Sequence, residues 1–139
     1  MKRKEPVSVI MTKNVHTVNL SDELADVVQT LKKHKIRHIP VVDGKDVVGI
    51  ISRTDINRLT FGSLFENQDG ADEAILSMLS VSQVMSSNPR LVQAATTIRE
   101  VAEIFTTEEF HALPVTDDQG KLVGIVTTTD IIKYLLDQY

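Results

Sequence analysis

The chain has 139 residues, of which 42% are hydrophobic and 24% are charged, and its formal net charge is −4 at pH 7. These proportions are typical of a globular protein of about one domain, and they argue against a disordered or fibrous chain. Because the chain contains no cysteine, disulfides, thiolate metal sites and cysteine nucleophiles are excluded. A general nucleic-acid binder needs a strongly basic surface, which this charge does not favour.

The sequence gives no indication of a membrane protein. No stretch reaches the run of about 18 apolar residues that a membrane helix needs. The first ten residues include basic side chains but no apolar core behind them, so they do not resemble a signal peptide. Together with the lack of cysteine, this predicts a cytoplasmic protein without a membrane span.

The second half of the chain repeats the first. Three segments recur in order, the first two 74 positions later and the third 75 positions later: VSVIM (7–11) as VSQVM (81–85), RHIPVVD (37–43) as HALPVTD (111–117), and VVGIISRTDI (47–56) as LVGIVTTTDI (122–131). A repeat of this kind predicts two copies of one structural unit. We therefore divide the chain into repeat 1 (1–60), a helical connector (61–80) and repeat 2 (81–139).

Each repeat predicts a short β–α–β–β–α unit. In repeat 1, a brief strand at residues 16–18 precedes a helix for which Ser21 is the expected N-cap. Four apolar residues share one face of that helix, and four stand at the same positions in repeat 2: Leu24, Val27, Val28 and Leu31, then Ile98, Val101, Ala102 and Phe105. Thr97 and Glu100 form a possible capping box.

A hairpin and a second helix complete each unit. Pro40 and Pro114 stand in apolar runs, and because proline has no N–H to donate, we expect each at a strand start or a sheet edge. Turns are predicted at residues 43–46 and 117–121. The second helices are expected to begin at Thr54 and Thr129, with their hydroxyls as caps.

The connector has apolar residues at both ends. Phe61, Leu64 and Phe65 precede a polar loop around residues 69–70, and Ile75, Leu76 and Leu79 follow it at helical spacing. These residues either cover the core or form a dimer contact.

The order of the motifs resembles a known family. The pattern h-x-x-h-M, a helix, h-P-V-h-D and G-h-h-[S/T]-x-x-D-h occurs twice over about residues 6–136. It resembles the cystathionine β-synthase (CBS) domain, and the two copies resemble a stand-alone CBS pair, or Bateman module. The resemblance implies an α/β (α+β) fold whose two repeats pack sheet to sheet about a pseudo-two-fold axis. It also implies that adenosyl ligands (AMP, ADP, ATP or S-adenosylmethionine) bind in clefts between the repeats.

Two aspartates are the candidate ribose ligands. The carboxylates of Asp55 and Asp130 can each accept hydrogen bonds from two ribose hydroxyls, and a position near a helix start favours their charge. Hydroxyls that could bind the sugar or a phosphate flank them: Ser52 and Thr54 in repeat 1, Thr127 and Thr129 in repeat 2. The alternative is that these side chains only cap their helices. Their recurrence in the same frame favours ribose binding.

The resemblance also implies where the base and the phosphates lie. The base is expected among mostly apolar residues: Thr17, Val18, Ile39 and Pro40 in repeat 1, and Leu91, Val92, Leu113 and Pro114 in repeat 2. Plain core packing is the alternative for these residues. The phosphate ligands are expected at Arg37 and His38, where repeat 2 has His111 and Ala112 with two glutamates just upstream. We therefore expect unequal sites, with a polyphosphate at the Asp55 site.

Catalysis is not expected. The sequence has neither a phosphate-binding loop of the P-loop type nor a GxSxG segment. His34 and His38 have i,i+4 spacing, but they span an expected helix end and no carboxylate pair accompanies them, so we expect no metal site.

The predicted function is a non-catalytic regulatory module that binds an adenosyl small molecule, forms a homodimer and signals to an unknown regulated protein. The alternative is a ligand-free structural module that docks to another protein through Phe61, Phe65 and the connector. A third and weaker interpretation is nucleic-acid binding through the basic residues 2–4 and 32–38.

Overall fold

A computed structural model describes residues 4–60 and 76–139. The predicted connector residues Phe61, Leu64, Phe65 and Ile75, and the loop around residues 69–70, lie outside these ranges. The chain forms two compact units. The repeat-1 unit is His16–Pro89, and the repeat-2 unit consists of Met1–Val15 and Arg90–Tyr139. The mixed α/β class expected from the sequence is confirmed in both units.

The repeat-1 unit contains a four-stranded sheet in the order β1-β2-β3-β4. Its elements are β1 (Val18–Asn19), α1 (Leu24–Lys33), β2 (His38–Asp43), β3 (Asp46–Ser52), α2 (Arg53–Thr60), α3 (Val81–Val84) and β4 (Ser86–Ser87). The first two strands are parallel, whereas β2–β3 and β3–β4 are antiparallel. The hairpin predicted around residues 43–46 is confirmed.

The repeat-2 unit contains a three-stranded sheet in the order β5-β6-β7. Its elements are a 3₁₀ helix (Val7–Val9), β5 (Val92–Gln93), α4 (Ile98–Thr107), β6 (Ala112–Thr116), β7 (Leu122–Thr127) and α5 (Thr128–Asp137). The pairings of β5–β6 and β6–β7 match those of β1–β2 and β2–β3. The structure thus confirms two copies of one arrangement of strands.

The two compact units do not coincide with the two sequence repeats, because each unit contains the first residues of the other repeat. Backbone bonds join Thr12 to Ile125 in both directions, at 2.9 and 3.0 Å. The equivalent pair in the repeat-1 unit is Ser86 with Ile50. The hydroxyl of Tyr134 also donates to the Glu5 carboxylate at 2.8 Å. The division at residues 60 and 80 therefore remains a prediction about sequence repeats.

Each unit has its own hydrophobic core. The predicted apolar face of α1 is buried at all four positions, from Leu24 to Leu31. In α4, Ile98 and Val101 are buried, and Ala102 and Phe105 are partly buried against the same core. Fully burying one such aliphatic side chain stabilises the fold by about 1.5–3 kcal/mol. None of the helices in residues 4–60 and 76–139 is long and apolar enough to cross a bilayer.

Several predicted caps were misplaced by one or two residues. The N-cap of α1 is Glu23 rather than Ser21, whose hydroxyl instead donates to the Asn19 side chain at 2.9 Å. The second helices begin at Arg53 and Thr128, so Thr54 and Thr129 lie inside the first turn and are not caps. For α4, one half of the predicted capping box is confirmed: the Thr97 hydroxyl accepts from the Glu100 N–H at 3.1 Å, and this is the bond that the described residues show at this cap.

The two prolines were wrongly expected at a strand start or a sheet edge. Each is the third residue of a strand that has a neighbouring strand on both sides. The Arg53 N–H donates to the Arg37 carbonyl. Since bonding alternates along an antiparallel pair, the opposed residues Pro40 and Ile50 are then a pair without mutual hydrogen bonds. On its other side, β1 starts only opposite Val41. No donor is needed at Pro40, and the register of Pro114 is equivalent.

The glycines of the third strand in each unit allow the close approach of a methionine side chain and a backbone carbonyl. A Cβ atom on Gly49 would overlap the Met85 side chain and lie 3.0 Å from the Ser86 carbonyl oxygen. A Cβ atom on Gly124 would likewise meet the Met11 side chain and the Thr12 carbonyl. The recurring methionine of the VSVIM and VSQVM segments therefore packs on the recurring glycine.

We expect Gly49→Ala and Gly124→Ala each to lower the free energy of unfolding by about 1–3 kcal/mol, because the methyl group overpacks the contact with methionine. Urea denaturation measures this change. Gly49→Ala should lower the free energy of unfolding less in a Met85→Ala background than in the wild type, because the overlapping methionine side chain is then absent. An unchanged midpoint for both glycine variants would contradict the close packing.

Candidate functional site

Asp55 lies in the first turn of α2, where its carboxylate and the preceding strand end hold each other. The Ser52 N–H donates to Asp55 Oδ2 at 3.1 Å, and the Asp55 N–H donates to Ser52 Oγ at 3.0 Å. This is the reciprocal arrangement of a capping box. Because both backbone donors are satisfied, the aspartate side chain is fixed at the end of β3.

Asp130 has the same arrangement at the start of α5. The Thr127 N–H donates to Asp130 Oδ2 at 2.9 Å, and the Asp130 N–H donates to Thr127 Oγ1 at 3.2 Å. The capping role that the sequence left as an alternative is therefore confirmed for both aspartates. Capping uses one carboxylate oxygen, Oδ2, and leaves the other for a further contact.

The remaining oxygen differs between the two units. Asp55 Oδ1 lies 3.9 Å from a guanidinium nitrogen of Arg58, whose side chain is 76% exposed. An exposed pair at this distance contributes little, so the oxygen is only weakly engaged. Within the described part of the chain, Asp130 Oδ1 accepts no hydrogen bond and forms no ion pair. Both aspartates are half-buried, so each carboxylate keeps contact with solvent.

The predicted hydroxyls fall into two groups. Ser52 and Thr127 accept from the aspartate N–H and keep their own O–H for a further acceptor. Thr54 and Thr129 are exposed in the first turns of α2 and α5, where unpaired backbone N–H groups favour anions. The sequence thus identified polar groups that the structure places together, although it assigned the wrong ones as caps.

Most of the predicted base-binding residues are core residues. Six of them are buried: Val18, Ile39, Pro40, Val92, Leu113 and Pro114. The packing alternative is therefore confirmed for these six, whatever else they contact. Thr17 and Leu91 are exposed and immediately precede β1 and β5. They are the members of the predicted walls with the most surface left for a ligand.

The expected cations gather at the start of β2, with one that the sequence interpretation missed. Arg37 is exposed and His38 is half-buried. The Arg37 carbonyl accepts from the Arg53 N–H at 2.8 Å, and the His111 carbonyl accepts from the Thr128 N–H at 3.0 Å. Arg53 and Thr128 are thus equivalent. The replacement of an arginine by a threonine is visible when SRTD (52–55) is aligned with TTTD (127–130), at a position that the shared motif leaves open.

One acidic group near the repeat-2 site is already paired. Glu108, which the sequence placed upstream of exposed His111, lies 3.6 Å from the Arg90 guanidinium through its carboxylate oxygen. Its charge is partly compensated by that arginine. Glu109 is exposed.

Two of the histidines contact each other. The rings of His16 and His34 stack with centroids 3.6 Å apart and planes 18° from parallel. The pKa of His34 is lowered below the usual histidine value. Desolvation of the imidazole is the largest cause, followed by electrostatic repulsion from His16 and Lys33. Residues 4–60 and 76–139 contain no group of three or more His, Cys, Asp or Glu that could hold a metal ion.

Comparisons with known proteins agree on one family. A model of the CBS domain matches residues 7–61 and 81–137. A CBS domain-containing protein of Dictyostelium discoideum is 31% identical over 134 residues, which cover 94% of this chain and 90% of that protein.

Solved structures give the same result. CBSX2 of Arabidopsis thaliana in complex with AMP has a TM-score of 0.78 and 28% identity, covering 96% of this chain and 98% of that one. The CBS domain pair of the protein MJ0100, in complex with 5′-methylthioadenosine and S-adenosyl-L-methionine, has a TM-score of 0.75 and 27% identity, covering 94% and 98%. The chain therefore belongs to the CBS domain family and contains two copies of that domain.

Proposed function

We propose that this protein is a non-catalytic regulatory module that binds an adenosyl ligand at two equivalent sites, one around Asp55 and one around Asp130. The observation that carries the proposal is the paired carboxylate geometry. In each unit Oδ2 is fixed by a backbone N–H, while Oδ1 is free or weakly engaged. The AMP and S-adenosylmethionine complexes of similar CBS pairs support an adenosyl group.

The ligand is held through its ribose and phosphates. Asp55 or Asp130 accepts from the ribose hydroxyls through Oδ1, and the capping bonds keep the carboxylate from rotating away. The hydroxyls of Thr54 or Thr129 and the first-turn N–H groups face an anion at the helix start. The exposed Thr17 and Leu91 contact the base beside the buried walls.

The two sites prefer different ligands. Three basic residues lie at the starts of β2 and α2 in the Asp55 site: Arg37, His38 and Arg53. The equivalent residues in repeat 2 are His111, Ala112 and Thr128. A hydrogen bond to a charged group contributes about 1.5–3 kcal/mol. ATP or ADP therefore prefers the Asp55 site, and AMP or an uncharged adenosyl group suits the Asp130 site better.

Ligand binding is converted into a signal through a second conformation. A ligand shifts an equilibrium only by the difference between its affinities for the two states. The regulated protein is unidentified, and a cytoplasmic location remains part of this proposal, resting on the lack of cysteine.

A second copy of this chain is the proposed partner of α5. Exposed apolar side chains follow one face of α5 at helical spacing, at Ile132, Leu135 and Leu136, and Tyr139 continues this stripe just past the end of the helix. Ile132 and Leu136 are 56% and 67% exposed. The same stripe on a second copy would cover it in a two-fold contact.

Asp55→Asn should weaken ATP binding by about 10- to 100-fold, the loss expected from 1.5–3 kcal/mol of charged hydrogen bonding. Asp130→Asn should weaken AMP binding by a similar factor and leave ATP binding largely unchanged. Asparagine keeps a carbonyl oxygen for the cap, so the helix start is preserved. Isothermal titration calorimetry measures both effects.

Asp137→Asn, at the far end of α5, is the matched control and should bind both ligands normally. Equal losses for AMP and ATP in both site variants would contradict the proposed difference between the sites.

An adenosyl ligand at 100 times its dissociation constant should raise the free energy of unfolding by about 2.7 kcal/mol. Differential scanning fluorimetry with AMP, ADP, ATP and S-adenosylmethionine detects the accompanying rise in melting temperature, with guanosine nucleotides as the control. If no adenosyl compound raises it, the ligand-free structural module becomes the better interpretation.

Leu136→Glu should shift the protein toward monomer, because the contact would bury a carboxylate without a partner. Sedimentation equilibrium measures the change in dimer dissociation constant. Lys133→Gln changes the net charge by the same amount on the same helix, outside the apolar stripe, and should leave the dimer intact. A wild-type protein that is monomeric at high micromolar concentration would overturn the dimer proposal.

A further inference from the structure

One contact occurs at the same place in both units, but with different chemistry. His16 and His34 stand 74 positions before Arg90 and Glu108. In each pair, the first residue lies two positions before the short first strand, β1 or β5. The second residue is the C-cap of the following helix, α1 or α4. We call each contact the latch of its unit.

The two latches join a helix end to a strand start by different forces. The repeat-1 latch is the stack of two imidazole rings, 3.6 Å between centroids. The repeat-2 latch is an ion pair, 3.6 Å between Arg90 Nη1 and Glu108 Oε2. The two pairs occupy equivalent positions in the sequence, but the helix ends differ in backbone conformation: φ and ψ are −96° and 0° at His34, and −120° and 153° at Glu108.

These side chains respond differently to acid. Arginine and glutamate both stay charged between about pH 5 and pH 8. Two stacked imidazoles cannot both take up a proton without placing like charges in contact. Lys33 and Lys35 flank His34 in the sequence, whereas His16 lies between the uncharged Val15 and Thr17. The neighbouring sequence therefore offers no carboxylate to compensate a charged stack.

The pKa of His34 is lowered by covering of the ring, by His16 and by Lys33. A base whose pKa is lower in the folded than in the unfolded state favours the unfolded state once protons are available. The contribution of the stack is complete above the ordinary histidine value of about 6.5. It is lost as the pH falls through the lower value of the folded protein.

We propose that the His16–His34 stack is a pH-sensitive latch that positions β1, and that mild acid opens it while the Arg90–Glu108 latch stays closed. The strand that it holds has only two residues, and Val18 pairs with Val41 of β2. His16 directly precedes Thr17 and Val18, which are predicted to contact the base. Acid should therefore weaken ligand binding at the Asp55 site and spare the Asp130 site, a consequence that rests on the proposed function.

The latch can be tested without a ligand. NMR titration of the imidazole protons from pH 8 to pH 5 should show His34 titrating below the ordinary range, and His16→Asn should move its pKa upward. Leu20, directly after β1, donates its N–H to the Val42 carbonyl, and Ala94, directly after β5, donates to the Thr116 carbonyl. Hydrogen-exchange protection of the Leu20 amide should fall between pH 7.5 and pH 5.5, while that of the Ala94 amide stays constant. Ordinary titration of His34 with and without His16, or unchanged protection of the Leu20 amide, would overturn the latch.

A transplanted latch provides the sharper test. The double variant His16→Arg with His34→Glu places the repeat-2 pair at the repeat-1 position, and both positions are exposed. The protection of its Leu20 amide should no longer depend on pH. Loss of the pH dependence supports the proposal. Its persistence contradicts the proposal, because the dependence would then come from a group such as His38 that both proteins contain.

Binding is then measured with adenosine, which has no phosphate to titrate, in Asp130→Asn backgrounds that isolate the Asp55 site. Wild-type latch residues should give several-fold weaker binding at pH 5.5 than at pH 7.5, and the transplanted pair should give equal binding. Binding that falls equally in both would overturn the role of the latch in ligand binding. If neither protein binds adenosine or ATP at either pH, the proposed function fails at the Asp55 site, whereas the NMR and exchange results still decide the latch.

Discussion

The structure depends at two equivalent places on one interaction, the reciprocal bond between an aspartate and the end of the preceding strand. Asp55 and Asp130 each use Oδ2 to hold a backbone N–H, and each donates its own N–H to a hydroxyl. This bond fixes both where the helix begins and how the carboxylate is oriented. A capping role and a binding role are therefore compatible, because rigid capping orients the oxygen that is left over.

Duplication has preserved the backbone at both sites and changed the groups around it. The glycine–methionine contact and the aspartate cap are present in both units. Arg53 stands where Thr128 does, and a histidine stack stands where an ion pair does. Two repeats with the same backbone arrangement can therefore respond to different ligands and to different pH.

Much of the fold could be predicted, because it depends on local patterns. The spacing of Leu24 and Leu31 predicted the buried face of α1, and the recurring hairpins followed from turn residues between apolar runs. The caps were less predictable because several hydroxyls compete within a few residues. Ser21 is bonded to Asn19 instead of to its helix.

Features that depend on neighbouring strands or exchanged segments could not be predicted. The position of Pro40 in a middle strand is possible only because β1 is two residues long. The contact between His16 and His34 joins residues whose approach is set by the packing of α1 on its sheet. Of the candidate site, the sequence identified the carboxylates and hydroxyls. Arg53 is visible in the sequence as the counterpart of Thr128, but its position beside Arg37 follows only from the backbone bond between them.

The exchange of opening segments also affects how the chain folds during synthesis. The repeat-1 unit is one continuous stretch, His16–Pro89, so all of its residues are synthesised before Ile125. Thr12, by contrast, pairs with Ile125, which follows it by more than a hundred residues in the chain. Thr12 is thus made long before its partner, and the repeat-2 unit closes only after the strand that contains Ile125 has been synthesised.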